Sequence, residues 1–161
     1  MKRETPKALI LEHLPGHLVR RLHQISQGLF HQELEDFGVT PIQYSLLQTI
    51  HNNPSIDQQT LARAVALDTS TTAGVVDRLE SKGLVTRSPS PDDRRVRQLQ
   101  LTKDGEQLLF AVIPGMLQSQ ALLLAPLTDQ QKEEFLSLLA KLVTANNAYS
   151  RAPSRTISTA S

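Results

Sequence analysis

The period of the hydrophobic pattern changes at one glycine, and that change limits the possible folds more than any other feature of the chain. Before Gly83, "DTSTTAGVVDRLESK" carries Val75, Val76 and Leu79 on one helical face and offers several N-caps in "DTST" at 68–71. After it, "LVTRS" at 84–88 and "VRQLQLT" at 96–102 are short β-prone runs joined by "PSPDDRR". In the second run Arg97, Leu99 and Leu101 face one way, and Val96, Gln98 and Gln100 the other. A helix over 69–82 that stops with Gly83 at C′, then a hairpin with its tip near residues 90–95, is the economical reading.

Helix signals fill the rest. "TPIQ" at 40–43 sets Thr40 as N-cap, Pro41 at the first helical position and Gln43 to close a capping box. Ile42, Leu46, Leu47 and Ile50 recur behind it until "NNP" at 52–54. "SIDQ" at 55–58 reads as a second capping box, opening a short helix with Leu61, Ala62 and Val65 inward. Residues 14–36 read as one long helix with Pro15 in its first turn, which leaves 7–13 as a separate short segment. Thr102 caps a helix to about Leu124, bent at "PG" 114–115. "TDQQ" at 128–131 is another capping box and opens a last helix with a stripe of Phe135, Leu138, Leu139, Leu142 and Val143.

The expected fold is therefore mainly α with a small β-hairpin wing: a winged helix-turn-helix with long N- and C-terminal dimerisation helices. Residues 1–36 would form the N-terminal part of the dimerisation domain and 37–102 the winged helix-turn-helix DNA-binding domain. Residues 103–150 would be the C-terminal dimerisation helices, and 151–161 a flexible tail with almost nothing to bury. The outer helices carry more apolar surface than so small a core can use, so a homodimer is expected.

Composition removes several function classes. With no cysteine there is neither disulfide nor thiolate chemistry. The longest apolar runs, such as "ALLLA" at 121–125, are too short to span a bilayer, and no apolar h-region follows the basic start. A soluble cytoplasmic protein without a membrane partner is expected. Glycine-rich phosphate loop, nucleophile elbow and His-Glu-x-x-His are all missing, so no catalytic residue is assigned and no enzyme or cofactor is expected.

Net charge is only +1, yet from Lys82 to Lys103 six cations face two anions. A local basic face is what DNA binding requires. Thr69, Ser70, Thr71 and Thr72 would supply short hydroxyl donors at the start of a helix in the major groove. Gly74 would permit close approach, and Arg78 would reach a phosphate. Arg87, Arg94, Arg95 and Arg97 supply the positive charge of the wing, with Arg94 and Arg95 at its tip suited to the minor groove. Asp93 would stabilise the wing by holding one of those guanidiniums. The competing readings are that hydroxyl-rich helix starts are only caps, that arginine runs are solvated loops, and that a winged helix can serve protein contacts alone.

Asp93-Arg94-Arg95 followed by Leu101-Thr102, together with "VVDRLESKGLVTR" at 75–87 and "GHLVRRLHQ" at 16–24, resembles the MarR family of bacterial transcription regulators over roughly residues 10–145. The resemblance implies a winged-helix homodimer on an inverted-repeat operator of double-stranded DNA, usually a repressor released by a small molecule. It also implies DNA contacts from Ser70, Thr71, Thr72 and Arg78 of the helix and from Arg95 of the wing. Family members often hold small aromatic acids between the dimerisation helices and the DNA-binding unit. For such a carboxylate effector, His17, Arg20, Arg21 and His23 of the first long helix, with Tyr44 and His51, are the candidate residues. The first segment is similar to regulators of nicotinate and related aromatic-acid catabolism, which points to a hydroxylated pyridine or benzoate. Arg20 and Arg21 pairing with acids across the dimer is the plainer alternative. Another is a metal-responsive regulator using His13 and His17, although Pro15 and Gly16 interrupt their spacing.

Overall fold

The computed structural model describes residues 9–155 and 157. Helix α1 spans Pro15–Leu34, with Pro15 in its first turn, and a 3-10 turn at Leu11–His13 precedes it. The expected continuation to residue 36 tightens into a second 3-10 turn, Glu35–Phe37, closed by Gly38 at φ 59°. Helix α2 (Pro41–Asn52) carries the Thr40/Gln43 capping box in full: Thr40 Oγ1 accepts from the Gln43 amide at 3.2 Å, and Gln43 Oε1 accepts from the Thr40 amide at 3.1 Å. Strand β1 (Ile56–Asp57) and helix α3 (Gln58–Ala64) follow, then α4 (Thr69–Ser81). Strands β2 (Val85–Pro89) and β3 (Arg97–Leu101) form the wing; α5 (Lys103–Leu124) and α6 (Asp129–Ala145) follow, with a 3-10 turn at Asn147–Tyr149 after them.

The sheet corrects two details of the sequence reading. It has three antiparallel strands in the order β1-β3-β2, with Ile56 opposite Leu99 and Val85 opposite Leu101. The α3 cap is Asp57, not Ser55: its Oδ1 accepts from the amides of Gln59 at 3.0 Å and Thr60 at 2.9 Å. Ser55 instead takes φ 69° and donates its amide to Leu99 O at 3.1 Å, which starts the short strand.

Two clusters fill the interior. Leu46, Leu47 and Ile50 of α2 meet Leu61, Val76, Leu79, Val85 and Leu99 in the winged-helix core. Phe30, Leu34 and Val112 form the second, where α1 crosses α5. Tyr44 and Leu108 touch both, so the reading unit and the long helices share packing. At the crossing a β-carbon on Gly115 would lie 2.8 Å from Glu33 O, so the glycine after Pro114 lets the two helices approach. Helix α5 runs unbroken through Pro114 and alone among the described helices is long and apolar enough to cross a membrane. The packing of Leu109 and Val112 into the two clusters accounts for part of that apolarity.

One hydroxyl links the start of the wing to α5. Thr102 Oγ1 donates to Gly83 O at 2.6 Å and accepts from the Gly105 amide at 3.0 Å, tying the end of α4 to the start of α5. Thr102→Ala should therefore cost about 1 kcal/mol, as N-cap losses do. Urea denaturation checks it: the midpoint falls while the slope m stays constant.

The segment after residue 150, expected to be a flexible tail, is corrected as far as it is described. Arg155 N–H donates to Arg63 O at 3.0 Å, and Ile157 packs on the winged-helix core. The isoleucine is the apolar anchor that a polar-looking sequence hid.

Candidate nucleic-acid interface

Helix α4 starts on Asp68, whose carboxylate is saturated. It accepts from the Thr71 amide at 2.7 Å, the Ser70 hydroxyl at 2.6 Å and the Thr71 hydroxyl at 2.6 Å. Those hydroxyl bonds first, and the amide after them, hold its pKa well below the usual carboxylate range. A depressed carboxylate stabilises the fold above the unfolded-state value and loses that contribution only as pH falls through the lower folded value. The cap therefore stays ionised throughout the physiological range. Asp57 is similar: burial raises it, but the Thr60 hydroxyl and the Thr60 and Gln59 amides outweigh burial and leave it lowered.

Thr69, Ser70 and Thr71 are exposed at the start of α4, and Arg78 is exposed two turns on. Thr72 is not available to a ligand. It is fully buried, and its hydroxyl donates to Asp68 O at 2.9 Å. Its helical phase explains this, since Val75, Val76 and Leu79 lie three, four and seven residues on. Gly74 has nothing within 4 Å of a notional β-carbon, so it leaves an open spot on the helix surface.

Among the described residues the guanidiniums of Arg94, Arg95 and Arg97 have no ion-pair partner, and all three residues are exposed. Arg95 and Arg97 share a cleft of about 380 Å³ with Thr69, Gln58, Gln59 and the carboxylate of Asp57. Wing and α4 start thus border one recess, in which two guanidiniums face a single carboxylate. Asp93 supports the tip differently from expectation: its carboxylate accepts the Arg95 backbone amide at 2.9 Å instead of a guanidinium. Val96 N–H to Asp93 O at 2.9 Å and Ser90 N–H to Val96 O at 2.9 Å close the same turn. The tip of the wing is set through main-chain donors, which leaves the side chains of Arg94, Arg95 and Arg97 unpaired.

Arg87 is the other correction. Its guanidinium pairs with Asp77, and its Nε lies 3.6 Å from Glu80, beyond hydrogen-bonding reach. Both acids belong to α4, so Arg87 ties β2 to that helix and its charge is already neutralised. The charge count along the sequence could not show this, because Asp77 and Glu80 lie outside the counted window.

The candidate effector residues do not converge in one chain. Arg21 and His23 line an apolar groove of about 810 Å³ between α1, α5 and α6, floored by Leu22, Leu123, Phe135 and Leu139. Tyr44 lines a different recess and donates to Gln48 Oε1 at 3.2 Å. His51 lies in a third, edge-on to Phe110 with ring centres 5.2 Å apart. Arg20 is exposed and bonds Gln24 at 2.9 Å, and His17 lines none of these cavities. The reason is tertiary: α1 and α2 turn these residues toward separate neighbours. His13 and His17 belong to different elements, the Leu11–His13 turn and α1, and no cluster of three metal-type side chains exists among the described residues.

Comparisons with known proteins place this geometry. The MarR family model matches residues 39–96. The transcriptional repressor NicR of Pseudomonas putida is 34% identical over 149 residues, covering 88% of this chain and 94% of the repressor. The PcaV regulator of Streptomyces coelicolor, solved with its natural ligand, superposes with a TM-score of 0.79 at 31% identity, over 87% of this chain and 99% of that one. Bordetella bronchiseptica BpsR, whose DNA binding is regulated by 6-hydroxynicotinic acid, gives a TM-score of 0.81 at 27% identity, over 84% and 97%.

Proposed function

From the premise that this chain belongs to the MarR family and is a transcriptional regulator of that type, we propose that it represses by binding an inverted-repeat operator as a homodimer and is released by a small aromatic carboxylate. The observation that carries the DNA-binding half is the recess where unpaired Arg95 and Arg97 meet Thr69 at the start of α4. In this reading α4 enters the major groove. Ser70 and Thr71 meet it with their hydroxyl protons already given to Asp68, so they offer oxygen acceptors to base-edge amines. Phosphates, which only accept, fall to Arg78 and to the wing arginines Arg94, Arg95 and Arg97.

The homodimer is supported by α6. None of its residues is buried in one chain, and Leu136, Leu138, Leu142 and Val143 are each more than half exposed. A second copy laid along α1 and α6 would cover that stripe and set the two reading helices roughly 34 Å apart, the spacing of successive major grooves. The effector half is supported by the acid-responsive BpsR and by the apolar groove carrying Arg21 and His23, whose Leu138 and Leu142 also belong to the stripe the second copy covers, so the acid would sit at the edge of the dimer interface. A hydroxylated nicotinate or benzoate suits such a groove, with its ring against leucines and its carboxylate on Arg21. The acid acts by preferring a dimer whose reading helices are mis-spaced.

Fluorescence anisotropy on duplexes selected from random DNA tests both halves. Binding should weaken by about 0.9 log units per log unit of salt for each neutralised phosphate, and one of a panel of hydroxylated aromatic acids should relieve it. Absence of salt-dependent binding to every selected duplex overturns the DNA reading. Binding indifferent to all the acids overturns the effector half.

Arg87 separates structural from interfacial charge. Arg87→Ala should lower stability by about 1 kcal/mol or less, because its pairs are partly exposed, and should leave the salt slope unchanged. A slope lowered by about one would return Arg87 to the interface.

A further inference from the structure

We infer that the chain after α6 positions the reading helix by bracing the α3–α4 turn, an inference whose DNA-binding consequence rests on the function proposed above. That turn is closed by Leu67 N–H to Ala62 O at 3.0 Å and by a long bond, Ala66 N–H to Arg63 O, at 3.4 Å. Ala66 sits between them at φ 54°. The end of α4 uses the same pattern with better chemistry. Leu84 N–H reaches Leu79 O at 2.9 Å, Gly83 N–H reaches Glu80 O at 2.8 Å, and the left-handed residue is a glycine at φ 71°. Alanine lacks glycine's freedom there, since its β-carbon crowds the next carbonyl. The α3–α4 turn therefore holds a less favourable residue with a longer bond, immediately before Asp68 starts the reading helix.

The returning chain supplies what that turn lacks. The Arg155 amide donates to the same Arg63 carbonyl at 3.0 Å, shorter than the turn's own bond. Ile157 packs against the winged-helix core, whose partly buried rim includes Val65 and Leu67 on either side of Ala66. The other end of the brace is fixed to the end of α6. Asn147 Nδ2 donates to Ser154 O at 2.9 Å, and Asn147 Oδ1 accepts the Ser154 amide at 2.9 Å. One asparagine thus folds the chain back on itself and aims Arg155 and Ile157 at the turn. The result is a second connection, besides the wing and α5, between the dimer helices and the start of α4.

Full-length variants separate the brace from a simple charge effect. Arg155→Pro removes the amide donor, Ile157→Asp removes the apolar anchor, and Arg155→Ala removes only the guanidinium. Amide hydrogen exchange at residues 65–67, measured without DNA, should quicken by about 10-fold or more in the first two and stay unchanged in the third. Affinity for a selected operator should fall by about 5-fold in the first two, with affinity for random duplex and the salt slope both unchanged. Unchanged exchange in both Arg155→Pro and Ile157→Asp overturns the brace. An Arg155→Ala variant that matches Arg155→Pro and has a lower salt slope also overturns it, and assigns Arg155 to a phosphate. If the unaltered chain bound no duplex at all, the regulator reading would fall while the exchange measurement still decided the brace.

Discussion

Replacing Arg94, Arg95 and Arg97 together by alanine leaves a folded protein that loses operator affinity by at least about 100-fold near physiological salt, or roughly 3 kcal/mol. Folding survives because the tip is held by main-chain donors, Arg95 N–H to Asp93 and Val96 N–H to Asp93 O, which alanine retains. Each lost phosphate contact also flattens the logarithmic salt dependence by about 0.9. The two readouts divide the wing's work. A lower affinity with an intact slope means base or groove-shape reading, while a lower slope means phosphate neutralisation. If neither moves in an anisotropy titration across salt, the wing lies outside the interface. Arg95→Ala alone gives a smaller version of the same result, about 1–3 kcal/mol.

Gly105→Ala attacks the frame instead of the contacts. A β-carbon on Gly105 would lie 2.0 Å from the carbonyl oxygen of Leu84 and 3.0 Å from its carbon. The obstructing atoms are backbone, and that same oxygen accepts the Thr102 amide at 3.0 Å, so it cannot swing aside without breaking a bond. Overpacking of this kind costs about 3 kcal/mol, the upper end of its usual range. The substitution pushes α5 away from the start of β2, so the melting temperature and specific DNA binding should fall together. A variant with an unchanged denaturation midpoint would show that α5 begins elsewhere. Gly115→Ala should destabilise as well, because its β-carbon would meet the backbone oxygen of Glu33 at 2.8 Å and the buried Leu34 Cδ2 at 2.7 Å.

What the sequence disclosed follows the range of the interaction. The Thr40/Gln43 and Thr128/Gln131 boxes are built from residues three apart, so they are legible, and both form as read. The Gly83 turn was legible for the same reason. Strand β1 was not: it is two residues long, and its partner, β3, lies more than forty positions away. Arg87 was misread through a similar separation, since Asp77 and Glu80 approach it only once β2 has folded against α4. Thr72 is the instructive miss. Its phase with Val75, Val76 and Leu79 marked it as inward, and its hydroxyl drew it to the wrong face. Chemistry-bearing residues of α1 and α2 could be picked from the sequence, but which of them meet depends on how the helices cross, and that placed Arg21, Tyr44 and His51 in three separate recesses.

Helix α6 spans 17 residues and fully buries none of them within its own chain. In the homodimer proposed above, its stripe is secured by mass action as much as by covalent neighbours, so the resistance of that dimer to heat is a function of how much of the protein is present. Dilution loosens α6 first, and the Asn147 clasp hangs from the end of that helix. A scarce regulator of this build is thus less firmly folded as well as less numerous, and its occupancy of DNA declines faster than its copy number.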